Sequence, residues 1–150
     1  MINAGMTGNA LYKTQLAAME QILTGASDIS DEVGNTKITD PVNSGNVLDV
    51  ESWYSWNSIA DFTDNIRSVR NAYYGSLDGR VNSNSMSAYM NKLNPMIDEE
   101  VRNAIDNAIN EISTMPAPFR NHLTKAETQD AVDACNALLD ALDMAIEALK

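Results

Sequence analysis

Four separate stretches of this chain repeat apolar residues at steps of three and four, and that spacing leaves little choice of fold. Ile59, Phe62, Ile66, Val69 and Tyr73 form one series, and Ile97, Val101, Ala104, Ile105, Ala108 and Ile112 a second. Val132, Cys135, Leu139, Leu142, Ile146 and Leu149 form a third, and Tyr12, Leu16, Met19 and Leu23, with Ile22 beside them, a fourth. Residues three and four apart share one face of an α-helix. No such helix is stable alone in water, so the four stripes must be buried together. The fold class expected is all-α: a four-helix bundle with a long ordered loop between helices 1 and 2, residues 1–150 forming a single bundle.

Punctuation sets the boundaries. The first helix is expected to begin near Thr7 or Asn9 and to end at Gly25. The second opens with Ser55 or Asn57 as cap, carries Asp61 and Asp64 near the positive end of its dipole, and stops at Gly75. A short helix follows from about Ser85 to Leu93. Asn94-Pro95 opens the third long helix, with Asn as cap and Pro where its missing N–H costs nothing. Pro116-Ala117-Pro118-Phe119 is a stiff corner whose Phe is expected to pack into the bundle end. Thr124 and Glu127 have the spacing of a capping box for the last helix, with Asp133, Asn136, Asp140, Asp143 and Glu147 on its watery side.

Between the first two helices, residues 26–57 show no sustained period. Asp40-Pro41 reads as a turn signal, and Gly34 and Gly45 add breaks. Yet Ile29, Val33, Ile38, Val42, Val47, Leu48 and Val50 punctuate the segment, which a disordered linker would lack. It is therefore expected to be ordered, with one or two short helical turns, lying across the bundle. Long loops inside compact domains are commonly functional ones.

Charge narrows the partners. The sequence has 21 acids against 10 bases, a formal charge of −11, and such a surface repels phosphate backbones and anionic headgroups. Nucleic acid is not an expected partner, and no apolar run approaches membrane-spanning length. The start, Met1-Ile2-Asn3-Ala4-Gly5, has neither the basic residues nor the apolar stretch of a signal peptide. Cys135 is the only cysteine, so no internal disulfide or thiolate metal cluster can form, and its place on a helix stripe makes it a small core residue.

The inventory for catalysis is thin. His122 is the only histidine, it lies beside the proline corner, and its five-residue spacing to Glu127 does not suit a helical zinc pair. Asp78-Gly79 with Asn82 and Asn84 lacks the closing Glu of a calcium loop. The best candidate is the run Glu51-Ser52-Trp53-Tyr54-Ser55-Trp56-Asn57-Ser58, which holds both tryptophans at the start of the second helix. A carboxylate, hydroxyls, an amide and indole N–H groups gathered there can form a polar site or a docking surface. The alternative is that the aromatics only anchor the loop into the core.

The runs Val33-Gly34, Lys37-Ile38, Asp40-Pro41, Val50 to Ser58, Asp61-Phe62, Asn65-Ile66-Arg67-Ser68 and Tyr73-Tyr74-Gly75 resemble the second half of the imelysin family. Asn94-Pro95 and Pro116-Ala117-Pro118-Phe119 continue the likeness, and Glu-Ser-x-Tyr-Ser is its most specific part. The resemblance implies an exported, often lipid-anchored cell-envelope protein built as two helical bundles. Such proteins are named peptidases and are linked to iron or haem acquisition. The family's Gly-x-His-x-x-Glu signature, which belongs to the first bundle, is absent from this chain. The resemblance therefore implies a non-catalytic C-terminal half with no cofactor of its own, iron or haem belonging to full-length relatives, and an N-terminal bundle as partner. By that reading Glu51, Ser52, Tyr54, Ser55 and Asn57 line a site shared between the bundles, with no catalytic or metal-ligating residue among them. Two other readings compete: a metallopeptidase half lending acids to a partner's metal centre, and a stand-alone acidic binding module.

Overall fold

A computed structural model gives the fold of residues 3–150, and it is all-helical among the described residues. The helices are α1 (Gln15–Asp31), α2 (Thr39–Ser44), α3 (Ser58–Tyr74), α4 (Met86–Leu93), α5 (Pro95–Thr114) and α6 (Ala126–Ala148), with a π-helical stretch at Glu32–Ile38 joining α1 to α2. α1 packs on α6, α6 on α5, α5 on α3, and α3 back on α1, so these four close a ring. The shorter α4 lies against α5 and α3. One continuous core fills the ring, with Leu23, Val33, Phe62, Ile66, Ile105, Ile112, Leu138 and Leu142 among its fully buried members.

The first helix departs most from expectation. It begins at Gln15, where the Thr14 side-chain oxygen accepts a hydrogen bond from the Ala17 N–H at 3.0 Å. Asn9 instead accepts from the N–H groups of Leu11 and Tyr12 in a turn ahead of it. Gly25 does not end the helix; it lies in the middle of α1. Helical backbone runs on through Glu32–Ile38 to Ser44, and Gly45, at φ 63°, is the true stop. The expected loop over 26–57 therefore shrinks to 45–57, which contains one 3₁₀ turn at Val47–Asp49.

The reason is a change of period. In a π-helix the hydrogen bonds join residues five apart, so Val33 and Ile38 fall on one face, and both are fully buried. A search at 3.6 residues per turn misses that step. Asp40-Pro41 does not break the helix: Pro41 lies inside α2, just beyond the π-helical stretch, and is buried. The Thr39 hydroxyl donates to the Gly34 carbonyl at 2.7 Å, which helps satisfy the altered ladder. Gly34 faces α6 so closely that a Cβ built on it would stand 2.8 Å from the Cys135 Cβ.

The later helices follow the sequence more closely. Asn94 caps α5 by accepting from the Met96 N–H at 3.2 Å, with Pro95 at the first helical position. Gly75 ends α3 at φ 66°, and Phe119 packs edge-on to Phe62 with ring centroids 5.7 Å apart. The capping box at Thr124 does not form: α6 starts at Ala126 after Lys125, with no side-chain cap, and the Thr128 hydroxyl bonds back to the His122 carbonyl. α6 buries Ala131, Ala134, Leu138, Ala141 and Ala145 as well as Val132, Cys135 and Leu142, because it touches both α5 and α1. Leu139 is only partly buried, while Asp143 is exposed as expected and also accepts a hydrogen bond from the buried Ser27 hydroxyl at 2.9 Å. Cys135 is buried as expected, and burial pushes its thiol pKa up to about 12.

Candidate functional site

The turn from Glu51 to Asn57 is hung between the core and the start of α3. Val50 is buried, Trp53 packs partly against the core, and the buried Ser58 hydroxyl donates to the Glu51 carbonyl at 2.6 Å. Neither Ser55 nor Asn57 caps α3. Asn57 occupies the cap position but makes no side-chain cap bond, and its amide instead donates to Asp61 Oδ1 at 2.6 Å. The Ser55 hydroxyl donates to the Ser52 carbonyl at 3.2 Å.

Two residues of the turn adopt backbone conformations that side chains disfavour. Ser52 has φ 58° and Trp56 φ 63°, and the Trp56 N–H donates to the Ser52 carbonyl at 2.9 Å to close the turn. The Ser52 hydroxyl donates to Asp61 Oδ2 at 2.5 Å. From the other end of the chain, Arg120 Nη1 donates to the Trp53 carbonyl at 2.9 Å. Its guanidinium lies 4.6 Å from the centre of the Trp56 ring and 5.5 Å from that of Trp53. Trp53 and Tyr54 meet edge to face at 5.3 Å. The result presents Tyr54, 85 % exposed, and Trp56, 58 % exposed, to solvent.

The charges of this region are largely consumed within the chain. Glu51 pairs with Lys37 at 3.1 Å, and Lys37 also meets Glu32 at 3.3 Å. Burial pulls the Lys37 ammonium down, but the Glu51 and Glu32 carboxylates outweigh it, so its pKa lies above that of an ordinary lysine. These residues border an open groove shared with Asp40, Ser44 and Asp49. The Asp49 carboxylate accepts from the Ser44 hydroxyl and from the Asn46 amide. Among the described residues no group of three or more His, Cys, Asp or Glu side chains is placed to hold a metal ion. His122 uses Nδ1 on the Pro118 carbonyl at 3.0 Å.

A second polar centre escaped the sequence reading. Asp98, 1 % exposed, accepts hydrogen bonds from the Ser87 hydroxyl at 2.6 Å, the Tyr73 hydroxyl at 3.1 Å and the Asn91 amide at 3.3 Å. Arg102 stands 3.8 Å away, one helical turn on. Burial, then the charge of Asp98, raises the Tyr73 pKa, so its hydroxyl stays a donor. This network ties α3, α4 and α5 together from the inside, and the groups are satisfied by one another, as buried polar atoms must be. A signal was there: Asp98 shares a helical face with Val101 and Ile105, three and seven residues on. For Lys37 and Arg120 there was none, since each meets the turn through tertiary contact.

Fold and site together define an all-helical protein with an aromatic turn, tied by side-chain hydrogen bonds, at the opening of one helix. The chain belongs to the imelysin family, whose family model matches residues 3–144. It is similar to a solved imelysin peptidase from Bacteroides ovatus, with 44% identity and a TM-score of 0.85 over 90% of this chain and 40% of that one. It is likewise similar to a solved iron-regulated protein A precursor from Parabacteroides distasonis, at 35% identity and TM-score 0.85, over 90% of this chain and 42% of that one. Among curated proteins, the iron-regulated protein A of Synechococcus elongatus is 25% identical over 147 residues, covering 98% of this chain and 41% of the relative. The chain thus spans about two fifths of the length of these relatives. No described helix is long and apolar enough to cross a membrane.

Proposed function

We propose that this chain is the non-catalytic C-terminal half of an imelysin-type, iron-linked cell-envelope protein. In this reading it packs against an N-terminal bundle and lines a site between them with Glu51, Ser52, Tyr54, Ser55 and Asn57. The observation that carries it is the coverage: nearly the whole chain matches, yet it accounts for only 40% of the Bacteroides ovatus protein. Two features agree. Tyr54 and Trp56 offer aromatic surface of the kind enriched at the centre of interfaces. The carboxylates beside them are engaged inside the chain, so they are poorly disposed to ligate a metal supplied by a partner. That weighs against the metallopeptidase-half reading.

The test is a chimera in which this chain replaces the matching segment of the Bacteroides ovatus protein. It is expected to unfold in one cooperative calorimetric transition. Tyr54→Ala combined with Trp56→Ala is expected to uncouple it into two. Two independent transitions in the unsubstituted chimera would remove the shared-interface reading.

A further inference from the structure

We infer that Asp61 and Arg120 are the positioning residues of the Glu51–Asn57 turn, one gripping it from the helix it opens and the other from the far corner of the fold. The inference deepens the function proposed above and rests on it for its biological purpose. Its physical content stands on the turn itself. Ser52 and Trp56 both sit in the left-handed region, where a residue with a β-carbon is strained and persists only when its surroundings hold it there. Neither is glycine, so the backbone alone does not choose this shape.

The holding groups can be identified. Asp61 takes one hydrogen bond on each carboxylate oxygen, from Ser52 and from Asn57, and so ties the second residue of the turn to its last. Both bonds are charge-assisted, the stronger kind. Arg120 fixes the middle. It donates to the Trp53 carbonyl and lays its guanidinium across both indoles, a contact that needs a flat cation and that a lysine ammonium reproduces poorly. Sixty-seven residues separate Arg120 from Trp53, so this grip forms only once α5 and the Pro118 corner are in place. With both grips closed, Tyr54 and Trp56 are presented in one arrangement before any partner arrives, which lowers the ordering cost of binding.

The chain carries its own reporter, because Trp53 and Trp56 are its only tryptophans. Arg120→Met, Arg120→Lys and Asp61→Ala are to be compared with the parent by acrylamide quenching of tryptophan fluorescence, with far-UV circular dichroism in urea as the measure of global stability. Both Arg120 variants are expected to raise the quenching constant about twofold, since loss of the stacked guanidinium uncovers indole surface. Asp61→Ala is expected to do the same, while the helical signal below the urea transition stays that of the parent. Unchanged quenching in all three overturns the inference, as does quenching that rises only where helix is lost. In the chimera, Arg120→Met should also reproduce the uncoupling caused by the Tyr54 and Trp56 substitutions. Raised quenching with coupling intact would leave the grip standing and overturn its role in a shared site.

Discussion

Replacing Gly34 with alanine tests the packing that sequence periodicity missed. An alanine Cβ there would meet the Cys135 Cβ at 2.8 Å, with the Val132 carbonyl at 3.7 Å. Both neighbours are fixed to the backbone of α6, so no flexible side-chain end can swing aside, and the π-helical stretch must move off α6. Overpacking of this kind costs about 1–3 kcal/mol. Helix propensity returns up to about 1 kcal/mol on going from Gly to Ala. The close approach places the net loss at about 1–2 kcal/mol, or roughly 3–6 °C in melting temperature for a domain of this size. Urea unfolding followed at 222 nm would measure it. Cys135→Ala keeps the offending Cβ and should give no relief, whereas Cys135→Gly should, with a favourable coupling of about 1 kcal/mol in the double-mutant cycle. Gly25 is the internal comparison: it lies in α1 with nothing within 4 Å of a built Cβ, so Gly25→Ala should stabilise by about 0.5–1 kcal/mol. If Gly34→Ala stabilised the protein as much as Gly25→Ala, the tight crossing of the π stretch on α6 would be refuted.

Other consequences can be checked alongside. Asp98→Ala strands the buried hydroxyls of Tyr73 and Ser87 and should cost about 3 kcal/mol in a urea titration, while a loss under about 0.5 kcal/mol would show the network to be incidental. The Cys135 thiol should resist a disulfide reagent at pH 8 in the native protein and react at once in urea; fast native reaction would contradict its burial. Because its folded pKa, about 12, lies above the unfolded value, its contribution is intact below the unfolded pKa and fades as pH rises toward 12, by up to about 1.4 kcal/mol per pH unit. Lys37→Met removes the cation that Glu32 and Glu51 share and should destabilise at pH 7. The raised Lys37 pKa means that this loss is full below the unfolded lysine pKa and shrinks as pH climbs through the folded one, so a loss unchanged at high pH would exclude the ion pair as its cause.

How much of this was legible depended on whether the information was local. The stripes of α3 and α5 and the caps at Asn94 and Gly75 were readable, because each is a relation between residues within a turn or two. The stripe of α6 is wider than its large apolar residues suggest: its alanines are small enough to look neutral, yet they let α6 pack on two sides. Gly25 reads as a stop because the residues α1 buries beyond it, Ala26, Ser27 and Ser30, are small or polar and show no apolar stripe; further on, the buried step from Val33 to Ile38 is five, in the π-helical stretch. For Ser55, Asn57 and Thr124, spacing alone suggests caps that do not form. In the fold, other local partners take the first two side chains, the Ser52 carbonyl for Ser55 and the Asp61 carboxylate for Asn57, and α6 starts two residues beyond Thr124. The Glu51–Ser58 turn forms a single structure, but Lys37 and Arg120, which meet it, come from the π-helical stretch and from a distant corner, and Asp61 is legible only as a charge near the helix dipole.

The central proposal is that this chain supplies a shaped wall to a shared site; among the described residues no group of three or more His, Cys, Asp or Glu side chains is placed to hold a metal ion. Calorimetric titration of the chain alone with iron(II), zinc(II) and haem, each in turn, addresses it most directly. The account predicts no stoichiometric uptake of any of the three; saturable one-to-one binding in the micromolar range or tighter, with no other polypeptide present, would contradict it.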